Sequence, residues 1–218
     1  MWCIPRVTEE FERKMFDVLE VYARTPDVKH PVICLDEKTH QLLSTPRGGK
    51  LPSSGQPGRV DYEYKRHGTV NHFVAVNPKQ GERHIRVTDR RTAGDFAHFM
   101  QYLIMKVYKN ADTVCVVLDN LNIHGEKAIM QTYGEKDGGR ICSRIEWHHT
   151  PKHASWLNMA EIEIGVLQRN VLSKRIGVKE ELVKEVAAYQ RRRNRQSATI
   201  NWQFTREKAR EVFKLPKN

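Results

Sequence analysis

Long apolar runs are missing from this chain of 218 residues. None approaches the roughly 18 consecutive apolar positions that a membrane-spanning helix needs, so no membrane partner is expected. Met1-Trp2-Cys3-Ile4-Pro5-Arg6 also lacks the apolar stretch of a secretory signal, and a cytoplasmic location is expected. Cysteine is scarce: Cys3, Cys34, Cys115 and Cys142 show no Cys-x-x-Cys pair. They read as reduced, buried small hydrophobes rather than a disulfide framework. His148, His149 and His153 with Cys142 lack the paired spacing of a structural zinc site, so zinc is not expected. Gly48-Gly49-Lys50 lacks the rest of a phosphate-cradling loop, which removes the case for a bound nucleotide. Internal repeats and long low-complexity tracts are absent as well.

Acidic residues are in the minority, 26 against 37 Lys and Arg, which leaves a net charge of +11. Such an excess favours a polyanionic partner, although charge alone says nothing about fold. Hydrophobic residues make up 39% of the chain, enough for a core, and the length suits one sizeable domain with appendages.

Periodicity predicts the elements. Thr8 is placed to cap a helix to about Tyr22, with Phe11, Met15, Val18, Leu19 and Tyr22 on one side. Val32 to Asp36 reads as a short buried strand, and Ser44 to Arg59, rich in Gly, Pro and Ser, as a loop or hairpin tip. Strand patterns follow at Gly68–Val76 and Arg83–Thr88, suggesting an antiparallel meander. Thr92 precedes a helical stripe of Phe96, Phe99, Met100, Leu103, Ile104 and Val107, which leads to a strand over Val114–Leu118. A helix from about His124 to Tyr133, a Gly-rich turn at Gly134–Gly139 and a strand at Ile145–His148 come next. Leu157, Ala160, Ile164, Leu167 and Val171 form one helical face, and Leu182, Val186 and Tyr189 another. A last helix after Thr205 is expected to turn Ala209, Val212 and Phe213 inward. The order β-β-β-α-β-α-β-α predicts an α/β fold, a mixed sheet with helices on its faces.

Three acids stand out in that frame. Asp36 and Asp119 each end an apolar strand run, and Glu161 follows Trp156-Leu157-Asn158-Met159-Ala160. An ionised carboxylate beside a buried strand loses hydration unless a cation or hydrogen-bond donors compensate. One such aspartate is ordinary turn chemistry; three in this order suit metal-dependent phosphoryl transfer on nucleic acid.

Four blocks carry a family resemblance: Val32-Ile33-Cys34-Leu35-Asp36-Glu37; Leu118-Asp119-Asn120-Leu121-Asn122-Ile123-His124; Thr150-Pro151-Lys152-His153-Ala154-Ser155-Trp156-Leu157-Asn158-Met159-Ala160-Glu161; and Trp202-Gln203-Phe204-Thr205 with Ala209-Arg210. Together they resemble the DDE transposases of the mariner superfamily, in the bacterial insertion-sequence branch. The resemblance implies an RNase H-like five-stranded sheet flanked by helices, with an N-terminal helix and basic C-terminal helices. It divides the chain into a lead-in (1–30), a catalytic domain (31–176) and a basic helical segment (177–218). It also implies DNA cleavage at transposon ends and strand transfer into target DNA, by a homodimer in a synaptic complex associated with the nucleoid. A catalytically silent DNA-binding derivative and a structure-directed RNase H-like nuclease are the alternatives. The interval from Asp119 to Glu161 is longer than is usual in the animal mariner branch, with Gly134–Gly139 as the place for the extra length. Relatives carry a helix-turn-helix region ahead of the catalytic domain, whereas one short helix precedes Asp36 here, so a fragment or split reading frame is one expectation.

By the same resemblance, Asp36, Asp119 and Glu161 are the catalytic, metal-binding triad. Two Mg2+ ions, or Mn2+ in their place, are the expected cofactors; about 3.5–4 Å apart, such ions activate the nucleophile and stabilise the leaving oxygen. Periodicity does not choose between Glu161 and Glu163, which flank one apolar face; the resemblance, through the Leu157-Asn158-x-x-Glu161 pattern, implies Glu161. His124 is a candidate for approaching the scissile phosphate or for capping a turn. Arg47, Lys50, Arg59, Lys152, Arg191, Arg192, Arg193 and Arg195 are the expected DNA contacts.

Overall fold

A computed structural model describes residues 7–47, 52–59, 62–119 and 125–216. Thr8 accepts a hydrogen bond from the Phe11 backbone N–H at 3.2 Å and so opens helix α1, Glu9–Ala23. Glu9, Glu10 and Glu12 sit in its first turn, where negative charge suits the helix dipole. The predicted stripe of α1 is buried, with Val21 added to it.

Five strands form one sheet: β1 (Val32–Ser44), β2 (Lys65–Asn77), β3 (Glu82–Thr88), β4 (Val114–Leu118) and β5 (Ile145–His149). Their order is β3-β2-β1-β4-β5. β1 and β2, and β2 and β3, pair antiparallel; β4 pairs parallel with β1 and with β5. This is the predicted meander followed by helical crossovers. β1, however, does not stop at Asp36. Glu37, Lys38, Thr39, His40 and Gln41 are polar and carry no apolar signal, yet each pairs with a β2 residue from Phe73 back to Thr69. Backbone pairing with β2, together with the Thr39 hydroxyl donating to Asn71 Oδ1 at 2.7 Å, extends the strand where the periodicity of its own side chains gives no signal.

The helices cover both faces. α2 (Ala93–Tyr102) begins with a reciprocal capping box between Thr92 and Asp95 and runs on as a π-helical turn, Leu103–Val107. α3 spans Glu126–Cys142, so the segment expected to be a Gly-rich turn is mostly helix. Gly134, at φ 75°, makes a kink there, and burial of Ile141 and Cys142 against the α2 face of the sheet holds the second half helical. α4 (Met159–Leu167), extended by a π-helical turn through Leu172, packs on the opposite face with α1. α5 (Lys179–Arg195) buries Leu182, Val186 and Tyr189 beside α4, and α6 (Arg206–Phe213) lies by α1. In α6, Ala209 is buried and Phe213 packs inward as expected, but Val212 is 55% exposed. Ala209 and Phe213 lie four residues apart on one face, whereas Val212 is rotated to its edge.

The outer edge of the sheet, β3, is closed by side chains of α5. Asn194 accepts from the Arg83 backbone N–H and donates to the Arg83 carbonyl, both at 2.9 Å, and Gln190 accepts from the Ile85 N–H at 2.7 Å.

Candidate active site

The parallel register of β1 and β4 aligns Val32 with Cys115, Ile33 with Val116 and Cys34 with Val117. The parallel pairing ends there; Asp36 lies two residues further along β1 and Asp119 directly follows the last residue of β4, so both stand at the same end of the two strands. Asp36 accepts a hydrogen bond from the Glu37 backbone N–H at 2.7 Å. Burial nevertheless pushes its carboxyl up to about 7, with the charges of Glu161 and Asp119 adding to the shift. Asp36 thus feels the fields of two acids distant from it in sequence.

Glu161 reaches this place because α4 is fastened at its start. Asn158, fully buried, caps the helix by accepting from the Ala160 N–H at 3.1 Å. Its Nδ2 donates to the Leu35 carbonyl at 2.9 Å, one residue before Asp36. Tyr22 of α1 adds a second tie, donating to the Leu157 carbonyl at 2.9 Å and accepting from the Met159 N–H at 3.4 Å. The Leu157-Asn158 pair, read in the sequence only as a spacing, is the mechanical link between strand and helix.

Glu161 and Glu163 have opposite surroundings. Glu161 is exposed in the first turn of α4. Glu163 is fully buried: Arg83 Nε lies 3.1 Å from its Oε1, with both side chains at 0% exposure. Tyr189 OH donates to the same oxygen at 2.6 Å, and Arg193 lies 3.4 Å from Oε2. Glu163 is therefore occupied in joining α4, β3 and α5. Glu37 points to the other face from Asp36, its side chain 3% exposed and 3.7 Å from Arg91.

The expected DNA contacts that are described do not share one environment. Arg47, Arg59, Lys152, Arg191, Arg192 and Arg195 are exposed. Arg47 pairs with Glu63 at 3.5 Å, and the Arg192 guanidinium sits 5.8 Å from the Tyr189 ring centroid. Arg193 turns inward to Glu163. Lys152 lines a cleft of about 250 Å3 with Lys14, Phe11 and His153. Lys50 and His124 lie outside the described residues. Among the described residues, no helix is long and apolar enough to cross a membrane. The sequence reading passed over one group of potential metal ligands, Cys115, Glu146 and His148, on β4 and β5.

A family model described as DDE superfamily endonuclease matches residues 31–183. None of the curated proteins matches the chain. Among solved structures, the Mos1 mariner paired-end complex with Mn aligns at 16% identity with a TM-score of 0.56, covering 91% of this chain and 62% of that one. The Mos1 transposase paired-end complex with the left transposon end aligns at 15% identity and 0.54, over 91% and 62%. The Mos1 strand transfer complex aligns at 15% identity and 0.52, over 91% and 63%. At such identities the likeness is one of fold, the RNase H-like sheet with its flanking helices. The chain spans less than two thirds of the length of these Mos1 chains.

Proposed function

The chain belongs to the DDE superfamily of endonucleases, and from that premise we propose that it is the catalytic part of a transposase, cleaving DNA at transposon ends and joining them to target DNA. In this reading Asp36, Asp119 and Glu161 hold two divalent ions, Mg2+ with Mn2+ as a substitute. The observation that supports it is the environment of Asp36: burial, with the charges of Glu161 and Asp119 adding to it, raises this carboxyl to about 7, so its charged form gains from a bound cation. Such a donor set suits hard divalent cations. Bound there, the ions would supply activation of water or a 3′-hydroxyl and stabilisation of the leaving oxygen.

The protein's own part is positional. In this reading β1 carries Asp36, Asp119 directly follows β4, and the Asn158 tie to the Leu35 carbonyl sets the start of α4, where Glu161 sits. Asp36 gives up its proton as the site is loaded. Arg47, Arg59, Lys152, Arg191, Arg192 and Arg195 are assigned to the phosphate backbone, with Lys50 as a further contact and Arg193 acting through Glu163. The catalytic unit is assigned to 31–176, with 1–30 and 177–218 as its helical flanks, and a homodimer is the assigned working form. The bacterial insertion-sequence branch and a nucleoid-associated location rest on the four sequence blocks alone.

The test is nicking and joining of plasmid DNA in Mg2+ or Mn2+. Asp119→Ala should abolish both while leaving DNA binding intact. Cleavage that persists in Asp119→Ala sinks the proposal, and salt-sensitive binding without cleavage in either ion would instead mark a DNA-binding module.

A further inference from the structure

Cys115 on β4 and Glu146 and His148 on β5 place a sulfur, a carboxylate oxygen and an imidazole nitrogen within 4.8 Å of one another. β4 and β5 pair Cys115 with Glu146 and Val117 with His148, so the arrangement is set by sheet register rather than by a flexible loop. Cys115 lies four residues before Asp119, about 13 Å along the strand, and this group is therefore separate from the triad. Cys115 Sγ is 2.9 Å from Glu146 Oε2, and His148 Nε2 is 3.0 Å from Glu146 Oε1.

The histidine carries the argument. Its side chain is 7% exposed, and among the described residues Nε2 has no hydrogen-bond partner. The 3.0 Å contact with Glu146 lacks the alignment of a hydrogen bond. Nδ1 is 2.8 Å from Asp17 Oδ2 on α1. A carboxylate on Nδ1 fixes the proton there and frees Nε2 as a donor of electrons, the arrangement found behind histidines that ligate metals. His148 Nε2 and Glu146 Oε1 form an ion pair when the imidazole is protonated; with Nε2 unprotonated, a nitrogen and an oxygen at this separation can serve as two ligands of one ion.

Arg24, at the end of α1, already answers the group's demand for positive charge. Its Nη1 lies 3.1 Å from Cys115 Sγ and 3.0 Å from Glu146 Oε2, and Nη2 lies 2.9 Å from Oε1. With 40% of its side chain exposed, the guanidinium has room to withdraw.

We propose that Cys115, Glu146 and His148 form a second metal site, for Zn2+ or a similar borderline cation, with Asp17 orienting His148 and Arg24 holding the site in the metal-free protein. The mixed sulfur, nitrogen and oxygen set selects such an ion over Mg2+, which prefers oxygen alone. The Cys115 thiol proton leaves to solvent as the thiolate binds. Because the ligands and Asp17 join β4, β5 and α1, the ion would clip the first helix to the sheet beneath the triad.

Cobalt titration of the EDTA-treated full chain tests this. A near-ultraviolet thiolate-to-cobalt absorption, displaced by Zn2+, is expected; it should persist in Glu161→Gln and vanish in Cys115→Ser, whose fold is checked by its melting curve in EDTA. Asp17→Asn should keep the band with roughly 10- to 100-fold weaker affinity. Arg24→Gln, which removes the competing cation, should bind more tightly than the parent. Absence of the band in the parent, its survival in Cys115→Ser, or affinity unimproved in Arg24→Gln would each overturn the proposal.

Discussion

At the scale of single residues, Glu161 and Glu163 are two residues apart in sequence and far apart in consequence. Glu163→Gln leaves Arg83 buried without its counter-charge, and a loss of about 3–5 kcal/mol is expected from denaturant unfolding. Glu161→Gln, at an exposed position, should change stability by no more than about 0.5 kcal/mol while removing cleavage. If Glu161→Gln still cuts DNA, the assignment of the third acid fails. Asp36 gives a second expectation. Its carboxyl, raised from an ordinary 3.8 to about 7, binds a proton more tightly folded than unfolded. Its contribution to stability is therefore full below about 3.8 and is lost as pH rises through 7. In EDTA, Asp36→Asn should remove that part of the pH dependence. Ion affinity, measured by calorimetry, should weaken below pH 7 as protons compete.

At the scale of elements, what could be read from the sequence was whatever repeats at helical or strand spacing. The stripes of α1, α4 and α5 were legible because each faces a core along its whole length. The second half of α3 was not, because its glycines argue locally for a turn and only packing of Ile141 and Cys142 overrules them. Likewise the acids were legible one by one, but the tie between the strand of Asp36 and the helix of Glu161 was not: Asn158 and Leu35 lie 123 residues apart. Removing that tie should loosen α4 without touching a carboxylate. Asn158→Ala strands the Leu35 carbonyl and uncaps the helix, with an expected cost of about 2–4 kcal/mol in urea unfolding. Cleavage by the remaining folded protein should fall as well; full activity there would mean that Glu161 is placed by something else. The Cys115, Glu146 and His148 group escaped the sequence for a similar reason, since only strand register brings its members level.

For the whole molecule, the +11 charge is legible in composition, but where it sits is not. Exposed basic residues are spread from the loop of Arg47 to the end of α5, so DNA binding should weaken steeply with salt. Replacing Lys152 or Arg191 singly should lower the slope of log affinity against log salt by about 1. An unchanged slope would remove that residue from the interface. The other boundary of the molecule has a different meaning. Asn194 and Gln190 engage the outer rim of β3 with side-chain amides, which carry the same N–H and C=O chemistry as a peptide bond. α5 thereby imitates part of a missing strand. A second copy, or a misfolded neighbour, finds fewer free hydrogen-bonding groups with which to lengthen the sheet there. Crowded copies of the chain thus meet little invitation to fibrous growth from this side.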